Sequence, residues 1–303
     1  LLRYARLRPG RGFRAGPAAL YYAQRLAVAS SSRRAVARLV AAGIRLRHPA
    51  RNGCAAPGLP AAAAGVVQRL RQEGCLALGT VLSGVALQKI RAYLAGRPVM
   101  AGDGRSFAAA SPPAGVPLGA YALADVLRCP QLLALCNDPA LLAIVRGYLG
   151  CEPTLSSIGL RWSYPAVPDS AAADTQRFHR DMDDWRALKL MVYLTDVDLD
   201  AGPHSFVVGT HRSAARLRAR PYSREEVAGR WGERSIRSFI GPAGTAMVAD
   251  TYGVHRGEVP RLRPRLMFLA QYSLLPIFAF EYRPLRLSPR PAVDPYINRL
   301  LIR

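Results

Sequence analysis

After Glu152 the chain turns into a series of short apolar runs separated by turn residues, and this constrains its fold more than any other feature. "SIGLRWSYP", "ALKLMVYLTDV", "SFVVGT", "RSFIGPAGTAMVAD" and "RLMFLAQYSL" each have strand length, and Gly, Pro or Asp punctuates the joins. The first half reads differently. Val66, Val67 and Leu70 fall at helical spacing before a short strand-like stretch, "GCLALGTVL". "SGVALQKIRAYL" reads as a helix capped by Ser83, and "QLLALCNDPALLAIVRGYLG" as helix with a break at Pro139 and a stop at Gly150. Residues 101–119 are rich in Gly, Ser and Pro and read as loop. Helices first and short strands after predict an α+β protein whose second half is a β-barrel or sandwich.

Charge divides the chain a second way. The net charge is +22, from 42 Lys+Arg against 20 Asp+Glu. Residues 1–60 contribute twelve Arg and no acid, so they are set apart as a basic, Arg/Ala-rich N-terminal extension, with a single domain over 61–303. Within the extension "SSSRRAVARLVAAGIRLR" has the pattern of a basic amphipathic helix. Such a segment fits a mitochondrial transit peptide, an extension without catalytic role, or an arm for a nucleic acid or membrane surface. The cations are nearly all Arg, with Lys89 and Lys189 the only lysines. Together with the Ala runs this reads as a coding bias, so basicity is discounted for the main domain and no nucleic-acid partner is required. The five Cys are odd in number and lack CxxC spacing, which argues for free thiols rather than zinc or disulfides. No apolar run looks long enough to span a membrane. The expected location is the cytoplasm, or the mitochondrion if residues 1–60 are a transit peptide. Oligomeric state stays open.

The chemistry concentrates in "QRFHRDMDDW", residues 176–185. His179 and Asp181 are two apart, and on an extended strand i and i+2 share a face. They supply two-thirds of the 2-His-1-carboxylate set that holds Fe(II) with open positions. A third ligand must come from downstream, where His204, His211 and His255 are the candidates. His204 and His211 flank "SFVVGT" and are read as shaping that turn. His255 follows a turn-strand-loop and precedes an Arg-rich strand entry, ten residues ahead of Arg265. A guanidinium there can grip a carboxylate through a bidentate fork.

The order His-x-Asp, then "LTDVDLDAGPHSFVVGTHR", then "VHRGEVPRLRPRLMFLAQYS", resembles the phytanoyl-CoA dioxygenase family over about residues 65–285. "DPALLAIVRGYLG" is similar to that family's lead-in. The resemblance implies a double-stranded β-helix, a jelly-roll or cupin-like barrel with flanking N-terminal helices. It implies Fe(II) held by His179, Asp181 and His255, and 2-oxoglutarate as co-substrate with Arg265 on its distal carboxylate. Arg263 is the fallback and Arg261 the weaker option. Lys189 and Tyr193 share a strand face and are expected to hydrogen-bond the co-substrate. Trp162, Tyr164 and Trp185 are either core aromatics or substrate contacts, and Asp183 and Asp184 are loop residues or partners for Arg. The implied activity is hydroxylation of a small molecule by oxygen, with 2-oxoglutarate decarboxylated to succinate. A carboxylate at 181 argues against halogenation. A non-catalytic barrel, or a basic surface- or nucleic-acid-binding protein acting through residues 1–60, is the alternative.

Overall fold

The structure is a computed structural model that describes residues 15–26, 29–49, 61–165, 176–213 and 220–303. Cys54 and the remainder of the N-terminal extension lie outside the described residues. Helices α1 (Ala15–Leu26), α2 (Ser30–Arg47) and α3 (Ala61–Glu73) precede β1 (Cys75–Thr80) and α4 (Gly84–Leu94). Then come β2 (Pro98–Ala101), β3 (Ser106–Ala108) and β4 (Leu118–Tyr121), followed by α5 (Leu123–Arg128), α6 (Pro130–Cys136) and α7 (Pro139–Leu149). The second half holds β5 (Thr154–Ser163), β6 (Ala187–Tyr193), β7 (His204–Val207), α8 (Arg224–Trp231), β8 (Ile236–Phe239), β9 (Thr245–Ala249), β10 (His255–Gly257), β11 (Arg265–Ser273) and α9 (Pro295–Asn298).

The helix ends follow local chemistry. The Ser83 hydroxyl accepts from the Ala86 amide at the start of α4, and the Asp138 carboxylate does the same for Leu141 in α7, with Pro139 in its first turn. Gly150 closes α7 in the left-handed conformation, φ 81°. The stretch Pro130–Leu149 has the length and mean hydropathy, 1.4, of a membrane span, which the reading of apolar runs passed over. It is two helices here, parted at Asn137–Asp138, and their leucines enter the main core. The expected loop over 101–119 is interrupted by β3 and by the start of β4.

The strands form two antiparallel sheets, as expected for the jelly-roll barrel. The larger runs β1-β9-β6-β11-β5-β4-β2-β3 and the smaller β10-β7-β8. Alternation sorts the side chains of the large sheet. Leu190 and Val192 on β6, Val248 on β9, and Leu266, Phe268 and Tyr272 on β11 pack outward into the helical core. Met191, Tyr193, Met247 and Met267 face inward and meet Phe206 and Phe239 from the small sheet. Both faces of the sheet are therefore buried, and polar residues of inward parity, Lys189 and Arg265, project into the barrel.

The N-terminal helices are part of this packing. Ala37, Ala41 and Ile44 of α2 join the main core, and Arg33 is buried with its guanidinium on the carbonyls of Gln24 and Asp184. Residue 60 is thus not a packing boundary for the described part of the extension, because the apolar stripe of α2 needs the domain to cover it. Asp184 is the junction. Expected as a loop residue, it is buried, and its carboxylate accepts from the amides of Leu274 (2.6 Å), Leu275 (3.0 Å) and Trp185 (2.7 Å) and from the Gln24 amide group. Burial pushes its carboxyl up to about 7, against the amides of Leu275, Trp185 and Leu274 and the charge of Arg33, which favour the ionised form. Asp184→Ala strands at least two buried amides at roughly 1–3 kcal/mol each. We expect urea unfolding to show a loss of about 2–5 kcal/mol. An unchanged midpoint refutes the junction role.

Candidate metal centre

Segment 178–181 is extended but belongs to neither sheet proper; it is held beside β10. The amide of His179 donates to the His255 carbonyl (2.9 Å), and the amide of His255 donates back (3.0 Å). The two histidines are therefore directly opposed across an antiparallel pair, with ring centroids 4.3 Å apart. The Asp181 amide donates to the Thr251 carbonyl (2.9 Å), which keeps the segment extended, so Asp181 falls on the same face as His179. β10 is fixed in turn by β7, where His255 pairs with Phe206.

The three donors meet. One ligand atom each from His179, Asp181 and His255 lies within 4.8 Å of the other two. Both Nε2 atoms are 3.5 Å from an Asp181 oxygen. The far nitrogens are fixed as well: Nδ1 of His179 is 2.9 Å from the Arg177 carbonyl, and Nδ1 of His255 is 3.0 Å from that of Gly253. A carbonyl only accepts, so each Nδ1 carries the proton and each Nε2 presents its lone pair to the shared space. Burial drives the His255 pKa down to about 3, which keeps that ring neutral. Burial also works against a proton on His179, but Asp181 outweighs it and raises the pKa. Burial resists charge on Asp181, yet Lys189 and the two histidines hold the carboxyl well below its usual range. Two imidazoles that turn Nε2 to the same space and an anionic carboxylate suit a divalent transition metal, and this donor set fits Fe(II).

Lys189 gives its Nζ to Asp181 at 2.7 Å, so the pairing that an inward lysine needs is met by a ligand carboxylate. Arg265 opens β11 opposite Ser163, only 2% exposed; its Nη2 donates to the Ser163 hydroxyl (3.1 Å), while Nε and Nη1 are buried without a partner. A buried guanidinium with two unanswered donors calls for an anion, and the carboxylate of 2-oxoglutarate has the required fork geometry. Arg263 and Arg261 lie outside the strand and are exposed, paired with Asp198 and Asp200.

Tyr193 does not offer what was expected of it. Its hydroxyl donates to the Phe239 carbonyl (2.8 Å) and accepts from the His204 amide (2.9 Å). A co-substrate carboxylate can only accept, and the single O–H is already committed to holding the two sheets together. His204 is the reverse case. It was read as a turn-shaping residue, but its buried Nε2 has no partner and its ring lies 5.5 Å from that of His255. It pairs across β7·β10 with Gly257, where an added Cβ would stand 3.0 Å from Nη2 of Arg265. Burial, then the cations around it, holds the His204 pKa well below the usual range, so it is neutral. Only the β7·β10 register places it here, and no spacing in the sequence encodes that register. His211 keeps its structural reading, with Nε2 3.3 Å from the Arg71 carbonyl. Trp162 and Tyr164 stack at 6.0 Å and bond Tyr121 and the Ala109 carbonyl, away from the ligands. Asp183 is 3.9 Å from Arg25, and Trp185 packs near Arg33.

Gly253, whose carbonyl orients His255, leaves no room for a side chain: a Cβ there falls 2.2 Å from Cζ of the wholly buried Phe206. Gly253→Ala should lower the affinity for Co(II), a spectroscopic stand-in for Fe(II), by roughly 10–100-fold in an absorption titration. Unchanged affinity refutes the orienting role.

Residues 119–259 match the family model described as phytanoyl-CoA dioxygenase (PhyH). That span contains the three ligands and ends before Arg265. Among solved structures the chain is similar to the non-heme alpha ketoglutarate dependent epimerase SnoN from nogalamycin biosynthesis, at 22% identity and TM-score 0.50, over 71% of this chain and 84% of that one. It is also similar to the non-heme alpha ketoglutarate dependent carbocyclase SnoK from the same biosynthesis (20%, TM-score 0.49, 71% and 84%). A third is EctD from S. alaskensis in its apoform (21%, TM-score 0.49, 69% and 76%). At 22% identity the likeness to SnoN is one of fold. No curated protein sequence matches the chain. Residues 119–259, the span that carries His179, Asp181 and His255, are thus similar to the phytanoyl-CoA dioxygenase family.

Proposed function

We propose that this chain is an Fe(II)- and 2-oxoglutarate-dependent oxygenase that hydroxylates a small-molecule substrate. The observation that carries the reading is the pairing of a three-ligand centre with a buried, unanswered guanidinium inside the same barrel. When bound, Fe(II) and 2-oxoglutarate supply oxidation of a substrate C–H bond by dioxygen, with the co-substrate decarboxylated to succinate.

The residues of the chain divide the remaining work. His179 and His255, fixed through Nδ1 by backbone carbonyls, present Nε2 to the metal with no tautomer change. Asp181 supplies the third bond and one negative charge. Arg265 takes the distal carboxylate through Nε and Nη1, with Ser163 steadying Nη2. His204, neutral and unanswered at Nε2, adds a contact beside Arg265. Lys189 donates to Asp181 and keeps that carboxylate ionised for a metal, and its ammonium lies on the same strand face that would meet a co-substrate carboxylate. Tyr193 acts through the fold. The intact carboxylate at 181 leaves no ligand position for a halide, which favours hydroxylation or desaturation over halogenation.

Anaerobic titration with Fe(II) and 2-oxoglutarate should develop the weak visible charge-transfer band of the chelate. His179→Ala or Asp181→Ala should abolish it, and a band unchanged in both variants sinks the ligand assignment. Arg265→Ala should weaken 2-oxoglutarate binding about 10–100-fold, from the loss of a charge-assisted contact of roughly 1.5–3 kcal/mol, and leave Fe(II) affinity intact. A loss instead in Arg263→Ala would place the anchor wrongly. His204→Leu should raise the 2-oxoglutarate dissociation constant several-fold, whereas Tyr193→Phe should lower thermal stability and leave that constant unchanged.

A further inference from the structure

A cavity of about 920 Å³ lies between α2 and the barrel, and none of the residues lining it is a metal ligand or Arg265. It sits behind the ligand segment. His179 and Asp181 face His255, while Arg180 between them turns away to the Thr210 carbonyl and stacks 4.6 Å from the Tyr252 ring. Tyr252 and Gly209, beside Thr210, line the cavity.

The lining is strongly basic. Arg33, Arg34, Arg38, Arg45, Arg71, Arg186 and Arg212 contribute seven guanidiniums, and Asp250 is the one lining carboxylate among the described residues. Asp250 is itself engaged, accepting from the Tyr148 hydroxyl (2.5 Å) and the Tyr252 amide (3.0 Å). Arg34, Arg38 and Arg45 fall at i, i+4 and i+11 on α2, within about 40° of one another at 100° per residue, so they form one stripe. Arg45, Arg71 and Arg186 each reach a carbonyl at the end of α7, those of Gly150, Gly147 and Tyr148. A helix C-terminus attracts cations and explains those three. It does not explain Arg34, Arg38 and Arg212. None of these six makes an ion pair among the described residues. Gathering like charges round a concavity is unfavourable unless an anion joins them.

We propose that this cavity binds a small ligand carrying two or more phosphate groups, separately from the metal centre. Its volume suits a compact ligand, as ligand clefts of roughly 300–1,000 Å³ do, rather than an extended polymer or a bilayer. Guanidiniums on two walls can bracket adjacent phosphates through paired N–H donors.

The test is isothermal titration of the full chain with inorganic triphosphate in the presence of saturating 2-oxoglutarate, which fills the Arg265 side. One equivalent should bind. Arg34→Gln/Arg38→Gln should weaken it at least tenfold, while Arg286→Gln/Arg290→Gln, equal in charge and exposed elsewhere, should leave it within twofold. Equal losses in both double variants, binding of many equivalents, or loss of binding under 2-oxoglutarate overturns the proposal. So does an affinity confined to single-stranded RNA or to vesicles containing 30% phosphatidylserine. Failure here leaves the iron titration untouched, since that rests on different residues.

Discussion

The backbone pair between His179 and His255 is the contact on which the rest of the site depends. Two peptide hydrogen bonds set the rings 4.3 Å apart, and every further ligand position follows from that spacing. Asp181 reaches the same point because its own amide is held on the Thr251 carbonyl, in the turn that leads into β10. The segment carrying His179 and Asp181 is in neither sheet and owes its shape to this neighbour. The donor geometry is therefore built by main-chain bonds, which side-chain exchange leaves in place. Residues such as Gly253 and Phe206 matter because they keep that main chain close.

A second constraint comes from charge inside the barrel. Burying a cation costs several kcal/mol unless it is answered. Lys189 and Arg265 share inward parity on β6 and β11, and the chain answers them unequally. Lys189 has Asp181, and Arg265 has one hydroxyl and a neutral histidine nearby. The chain tolerates that deficit because the whole barrel around Arg265 is packed, with Tyr193 joining the sheets just beside it. An anionic group at Arg265 would remove that deficit, since Nε and Nη1 are the donors left without a partner.

Much of this was legible from the residues. Short runs between turns suggested a β-barrel or sandwich, Ser83 and Gly150 gave helix ends, and His-x-Asp gave two of the three ligands, while the choice of His255 over His204 and His211 leaned on the family resemblance. What stayed hidden depends on contacts between elements distant in sequence. Tyr193 alternates with Lys189 and so looked equivalent to it, but its hydroxyl belongs to Phe239 and His204 across the barrel. His204 looked like a turn residue because nothing in "GPHSF" reveals that its strand partner is Gly257 beside Arg265. Asp184 looked like the solvated end of an acidic cluster, whereas the chain ninety residues later folds two amides onto it. Period-2 patterning tells which face a residue takes; it does not tell which neighbour waits there.

The N-terminal helices show the same limit and carry a consequence for the site. Acid-free composition set residues 1–60 apart, yet α2 inserts Ala37, Ala41 and Ile44 into the core and brings Arg33 against the Tyr252 ring at 4.5 Å. Arg180 lies over the same ring at 4.6 Å. Tyr252 follows Thr251, whose carbonyl holds Asp181, and Arg180 stands between the two ligands contributed by one segment. The packing of α2 is thereby continuous, through two guanidiniums and one aromatic ring, with the main chain that sets the metal geometry. A basic segment that composition marks as an appendage is, in its folded part, a brace for the back of the ligand strand, and charge gathered in the cavity bears on the same brace.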